Sequence, residues 1–306
     1  MNVRKLIISL LLTALTATMI SSCGQGGIGD AFGFLEKGRL HLAAKDYPRV
    51  DGSTATIPLS EAFAAAVMGV DLEEARQYIE HNKTHEAYVN LIDGKADIIF
   101  VTSPSEEELS YAREKNVELD VVPVVSEGFV FLTNSENPVK GLTLQQIKDI
   151  YTGRITSWSE VGGGSKEIIA YQRPENSGSQ TGMLDLVMDG EKLMSPPMEQ
   201  VVAEMGMLVD QVAVYNNEEE AIGYSYYYYV TDMWQNKNVK LLEVDGVYPD
   251  KTTISDGRYP VRTAYYAVLR ADEPKGSNAR KLLKWILGEE GQRTAEEAGY
   301  VRLGKN

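Results

Sequence analysis

Short apolar runs that alternate with helical patterns constrain this chain more than any other feature. DIIFV at 97–101, VVPVV at 121–125, GFVFL at 128–132 and AYYAVL at 264–269 have the length and the β-branched or aromatic content of buried strands. Residues 59–67 are alanine-rich and helix-like. Residues 143–151 place Leu144, Ile147, Ile150 and Tyr151 on one face. There Thr143 can act as N-cap with Gln146 closing a capping box, and Gly153 can end the helix in the left-handed conformation. Ala279, Leu282, Leu283 and Ile286 repeat at helical spacing after Ser277, a further N-cap. Strands alternating with helices predict an α/β fold. No repeat of fixed period interrupts the pattern.

The first 45 residues stand outside it. Arg4 and Lys5 precede an apolar run from Leu6 to about Ile20, then Ser21, Ser22 and Cys23. A basic start, an apolar stretch and small residues before a cleavage point read as a signal peptide over residues 1–22. The run is short for a membrane span, which needs about 20 apolar residues. Cys23 is the only cysteine in 306 residues, so no disulfide can form within the chain. Residues 20–23, ISSC, resemble the bacterial lipobox, in which the cysteine takes lipid. Residues 23–45 begin glycine-rich and without apolar periodicity, and read as a tether. The remainder is long enough for two domains, and 43% hydrophobic with 24% charged residues is an ordinary globular balance. A net charge of −14 argues against a nucleic-acid partner, because phosphate contacts need a basic face. An anion site in such a chain must work locally, against the overall field.

Three stretches carry chemistry. DGSTATIP at 51–58 follows a short strand and opens the alanine-rich helix, with Pro58 in the first turn, where a missing N–H costs nothing. The start of that helix offers free N–H groups and three hydroxyls to an anion, or it is simply a capped helix. KTHEAY at 83–88 offers Thr84 as cap of a second helix. His81 and His85 stand four apart, but with His41 as the only other histidine and no third strong ligand nearby, a metal site is rejected. YQRPENSGSQTGM at 171–183 holds one arginine and then a cluster of small hydroxyl and glycine residues. EIIA at 167–170 reads as a strand and MLDLVM at 183–188 as helix, so the loop joins strand to helix and is not a linker. It lacks the G-x-S-x-G elbow of a nucleophile and the G-x-x-x-x-G-K-[ST] of a nucleotide loop. An oxyanion cradle remains, with Arg173 supplying charge and a planar fork. The tyrosines at 226–229 read as packing, and the acidic runs at 106–108 and 218–220 as solvated helix faces.

These stretches resemble the periplasmic-type solute-binding proteins of high-affinity phosphate ABC transporters, over residues 47–303. The likeness is carried by residues 51–59, by GKADI at 94–98, by NPV at 137–139 with LT at 142–143, by IYTGRITSW at 150–158, by RPENSGS at 173–179, by AIGY at 221–224 and by GYV at 299–301. The arginine loop and IYTGRITSW are the most specific. The resemblance implies a two-lobed, type II-like α/β fold with the ligand in a cleft between lobes joined by two crossing strands, near 129–134 and 263–269. Lobe 1 would comprise 46–130 and 266–306, lobe 2 131–265, and binding would close them by a hinge. The implied ligands are Arg173, Ser177, Gly178 and Ser179 from the second lobe and Ser53, Thr54, Thr56, Thr84 and Thr102 from the first. Cys23 would carry the lipid. No cofactor is implied. The implied partners are inorganic phosphate, ABC permease subunits and, through the anchor, the membrane, with the protein a monomer.

Two departures stand out. The second site often reads G-S-G-x-G in the family, whereas residues 83–87 contain no glycine. Some members place an aspartate just past the G-x-x-D-I strand to accept the phosphate proton, where this chain reads VTSP at 101–104. Such a carboxylate lets a site prefer a protonated phosphate over an ionised sulfate, because a buried lone pair left unmatched is penalised. Another oxyanion, or a sensor or adhesin of the same fold, therefore stays open. A phosphatase or esterase using Ser177 or Ser179 fits less well, since no base stands in a convincing place.

Overall fold

The computed structural model describes residues 40–214 and 221–304. The stretch read as a signal peptide, Cys23, most of the stretch read as a tether and the acidic run at 218–220 lie outside the described residues. The chain divides into Met1–Leu40 and His41–Asn306, and the architecture below belongs to the second unit.

Seven strands form one sheet. β1 (Val50–Gly52) pairs in parallel with β2 (Ile98–Val101). A long strand, β3 (Leu119–Asn134), runs down the middle. β4 (Ile169–Ala170) pairs in parallel with β5 (Ala221–Tyr226), followed by β6 (Val239–Leu241) and β7 (Arg262–Arg270). The order is β1-β2-β7-β3-β5-β4, with β6 also on β3. β3 changes partner along its length. Residues Leu119–Gly128 pair with β7, and residues Phe129–Thr133 pair with β5. One strand thus serves two half-sheets, and the molecule is a two-lobed α/β fold. The runs at 121–125 and 128–132, separate strands by sequence, are one strand with an irregularity between Pro123 and Val125. The break in the pattern is Glu127, a carboxyl buried where the partner changes, accepting from the Gly128 and Tyr228 amides at 2.8 and 3.3 Å. Burial pushes its carboxyl up to about 8.

Helices cover both halves. On the first lie α1 (Ile57–Met68), α2 (Lys83–Ile92) and α3 (Glu106–Glu114). The second carries α4 (Leu144–Tyr151), α5 (Gly178–Met183) and α6 (Met205–Ala213). The chain returns to the first half as α7 (Asn278–Ile286) and α8 (Glu289–Glu297). The capping box on α4 forms as expected, as does the Ser277 cap on α7. Gly153 takes φ +79° just past α4. In the first half Tyr88, Leu91, Ile99, Val101 and Val268 form one buried cluster, while Phe63 packs edge-on to Trp285 at 5.9 Å. In the second, Phe129 meets Phe131, Tyr224 and Tyr226 at 5.4–5.8 Å. Each such side chain contributes about 1.5–3 kcal/mol by burial, and together they hold the loops at the ends of the strands in place.

Candidate functional site

The first half supplies neutral hydroxyls. At the end of β1, Gly52 lies so close to β2 that a Cβ there would stand 2.8 Å from the Phe100 carbonyl oxygen. The Ser53 amide then donates to that same oxygen at 2.9 Å. A tight turn over Thr54–Thr56 leads into α1, with Pro58 in its first turn. Thr56 Oγ1 is 2.7 Å from the Phe100 carbonyl oxygen, to which it donates, and is fully buried behind the turn. It steadies Ser53 and is not on the cavity wall, unlike Ser53 and Thr54. Thr84 does not cap α2. The cap position belongs to Asn82, whose carboxamide donates to Asp51 Oδ2 at 2.9 Å, and Thr84 sits inside the helix with its buried side chain on the wall. Thr102 follows β2, and the Tyr88 hydroxyl donates to its carbonyl at 2.8 Å. Thr102 Oγ1 is buried, with the Tyr226 hydroxyl beside it.

The second half supplies charge. Arg173 leaves β4 two residues after Tyr171 and is only 8% exposed. Its amide donates to Gln180 Oε1 and the Tyr224 hydroxyl. In the guanidinium, Nε donates to the Val202 carbonyl at 2.8 Å, Nη2 to the Ala203 carbonyl at 3.0 Å and Nη1 to Ser179 Oγ at 3.2 Å. A guanidinium has five N–H groups, so one on each Nη remains. Among the described residues no carboxylate pairs with it. Burial lowers its pKa, and the fields of Tyr224 and Glu204 oppose the shift. Ser179 is thereby turned onto Arg173 and lies behind the wall, whereas Ser177 and Gly178 are on it. Ser177 caps α5, accepting from the Gln180 amide. α5 continues as a wider turn through Leu184–Met188, and its first turn presents N–H groups without helical partners.

The two walls enclose a cavity of about 570 Å3. Seven of the nine sequence-proposed residues line it, Thr56 and Ser179 being the exceptions. A Cβ on Gly178 would stand 2.5 Å from Thr102 Oγ1 and 2.7 Å from Thr84 Oγ1, so the walls meet where only glycine fits. Two polar contacts cross the cleft farther out. Lys83 Nζ reaches Glu204 Oε1 at 2.6 Å, and the Asn176 carboxamide donates to Glu107. Sequence reasoning missed the segment at 203–207 and Trp234, which also line the cavity. Nothing in their spacing marks them, since the Arg173 guanidinium and α6 bring them there. Two of the four tyrosines read as packing, Tyr226 and Tyr229, reach the cavity. Tyr228 does pack, stacking on Tyr300 at 3.6 Å. Glu108 corrects the reading of its run as a solvated face. It is buried against His85 at 3.2 Å, and burial raises its pKa. His81 is held by Ser60 Oγ at 2.9 Å.

A family model described as a PBP superfamily domain matches residues 41–290. The phosphate-binding protein PstS of Staphylococcus saprophyticus is 27% identical, over 96% of this chain and 89% of its own length. That of Bacillus subtilis is 25% identical, over 98% and 95%. Among solved structures, a putative phosphate ABC transporter substrate-binding protein with bound phosphate from Clostridium perfringens superposes with a TM-score of 0.65 at 26% identity, covering 83% of this chain and 98% of that one. An ABC-type phosphate transport receptor from Vibrio cholerae shares the fold, with a TM-score of 0.62 at 20% identity over 82% and 98%.

Proposed function

The chain belongs to the PBP superfamily, and from that premise we propose that it captures inorganic phosphate outside the cytoplasm and delivers it to the permease of an ABC transporter. It is a binding protein and not an enzyme. The observation that carries the ligand class is Arg173. Among the described residues no carboxylate pairs with this buried guanidinium, and two of its N–H groups are left to meet an anion. The hydroxyls of Ser53, Thr54, Thr84, Thr102 and Ser177 surround the same cavity, and the start of α5 adds N–H groups. Thr56 and Ser179 act one step behind, by holding Ser53 and Arg173. Among the described residues neither serine proposed as a nucleophile is hydrogen-bonded to a base: Ser177 serves the Gln180 amide and Ser179 serves Arg173. The relatives named above are phosphate-binding proteins, which supports phosphate among the oxyanions.

The lobes on this reading are 46–130 with 266–306 and 131–265, a division supported by the change of partner along β3 at Gly128–Phe129. The protein acts as a monomer held to the membrane by lipid on Cys23. Isothermal titration with phosphate should show one site, with no hydrolysis of phosphomonoesters. Turnover that vanishes in Ser177→Ala would replace this reading with an enzyme. Cys23→Ser should move the protein from the membrane to the soluble fraction or stall its maturation. An unchanged, lipid-modified membrane fraction would remove the anchor.

A further inference from the structure

Resting on the reading of the cavity as a phosphate site, we infer that the same cavity also takes organophosphonates whose carbon substituent is flat and apolar, with the phosphono group at Arg173 and the substituent against Trp234. Two contacts already bridge the cleft, Lys83 to Glu204 and Asn176 to Glu107, and a Cβ on Gly178 would collide with Thr84 and Thr102. The cavity between the walls nevertheless measures about 570 Å3. That lies within the range of about 300–1,000 Å3 typical of pockets that bury whole organic ligands. A single tetrahedral ion on Arg173 fills only part of it.

The rest of the cavity has a different lining, made by Pro174, Met205, Met207, Tyr229 and Trp234, none of them charged. This end begins where the anion end stops. Met205 and Met207 follow Ala203, whose carbonyl accepts from Arg173 Nη2 at 3.0 Å, and the field of Arg173 reaches the Tyr229 phenol. Trp234 is held firmly. Its ring lies within 14° of parallel to that of Tyr229, with centroids 6.1 Å apart. Its indole N–H donates to Asp210 Oδ1 at 2.9 Å. Gly206 stands so close that a Cβ there would be 2.6 Å from the ring. Even so, Trp234 is 44% exposed and Met207 51%. Single exposed apolar side chains are ordinary, but these two line the same cavity as a buried cation with two N–H groups left for an anion. A ring fixed in advance loses little freedom when a ligand packs on it.

The ligand chemistry follows from the two ends. The guanidinium and the hydroxyls need only the oxygens of a phosphono group, and the fourth position on phosphorus can carry carbon toward the apolar end. Trp234 has a single donor and gives it to Asp210. It therefore has no hydrogen bond to offer phosphate, and the affinities for phosphate and for an aryl phosphonate separate at this residue.

The test is isothermal titration of the protein with phosphate, methylphosphonate and phenylphosphonate. Phenylphosphonate should compete with phosphate for one site and bind at least about tenfold more tightly than methylphosphonate. Trp234→Ala should weaken phenylphosphonate by about tenfold and change phosphate by less than about twofold. Trp234→Phe keeps a flat ring and should recover most of the loss. Met207→Ala, at a half-exposed side chain, should weaken phenylphosphonate by about threefold and spare phosphate. The comparison of the three ligands on the wild type needs no variant to fold. A wild type that binds phosphate but holds phenylphosphonate no more tightly than methylphosphonate overturns this inference alone. So does a folded Trp234→Ala protein that keeps phenylphosphonate at wild-type strength or loses both ligands equally. A wild type that binds none of the three overturns the proposed function and this inference with it.

Discussion

In the proposed site, the two walls of the cleft divide the work of holding an anion. Ser53, Thr54, Thr84 and Thr102 on the first half are neutral and hang from the ends of β1 and β2 and the first turns of α1 and α2. On the second half stands Arg173, a buried cation fastened by two carbonyls and one serine. The two cations of the cavity differ in the same way. Arg173 is buried and, among the described residues, pairs with no carboxylate. Lys83, on the first half, is 63% exposed and already spent on Glu204. A charge-assisted bond in a buried site is worth more than an exposed ion pair, which is screened by water and salt. On the proposed reading, affinity belongs to the second wall, and the first wall supplies fit.

Arg173→Ala tests that division most severely. It removes two charge-assisted bonds at roughly 1.5–3 kcal/mol each, so phosphate affinity should fall by about a hundredfold or more in titration calorimetry. Arg173→Lys should restore only part, because an ammonium keeps charge and loses the fork. The ligand-free protein should melt slightly lower, since the Val202 and Ala203 carbonyls lose their donor. Unchanged affinity in a folded variant would move the site elsewhere. Gly178→Ala asks whether the walls must touch. Its methyl would stand 2.5 and 2.7 Å from two hydroxyls, so affinity should drop about tenfold with the ligand-free melting temperature nearly unchanged. Equal affinity would mean that closure does not bring Thr84 and Thr102 to α5.

Glu127 sits where the two halves share β3. Its carboxyl is raised to about 8 by burial, so between its unfolded value and about 8 the folded state holds the extra proton. Stability then falls as pH rises through that window and levels off above it. Glu127→Gln should flatten this dependence. Above the window it should raise the melting temperature by about 2–4 °C for each kcal/mol gained. A variant whose melting curve follows the wild type at every pH would show that the junction is not titrating. Lys83→Ala should matter least. The exposed pair with Glu204 is worth about 0–1 kcal/mol, so affinity should change less than about fivefold, and less still at high salt. A larger loss would place a second essential cation on the first wall.

Much of this was legible in residue order. The strand-like runs, the caps at Thr143 and Ser277 and the arginine loop are local, set by spacing and backbone chemistry, and the described structure carries them. The joining of two runs into β3 was not legible, because Glu127 interrupts the apolar pattern and only a surrounding of other strands and rings makes its burial possible. Nor was the burial of Glu108, which depends on His85 from a different helix.

By itself the sequence determined the fold class, the candidate anion loops and the identity of the one arginine between them, since each depends on residues within a few positions of one another. Tertiary structure decided which hydroxyls face the cavity and which brace it. Thr56 and Ser179 are chemically as suitable as Thr54 and Ser177. They turn away because the Phe100 carbonyl, 44 residues on, takes the proton of Thr56, and a guanidinium locked to Val202 and Ala203 takes the lone pair of Ser179. A hydroxyl rotates to the strongest partner within reach, and which partner is within reach depends on contacts between segments far apart in the chain.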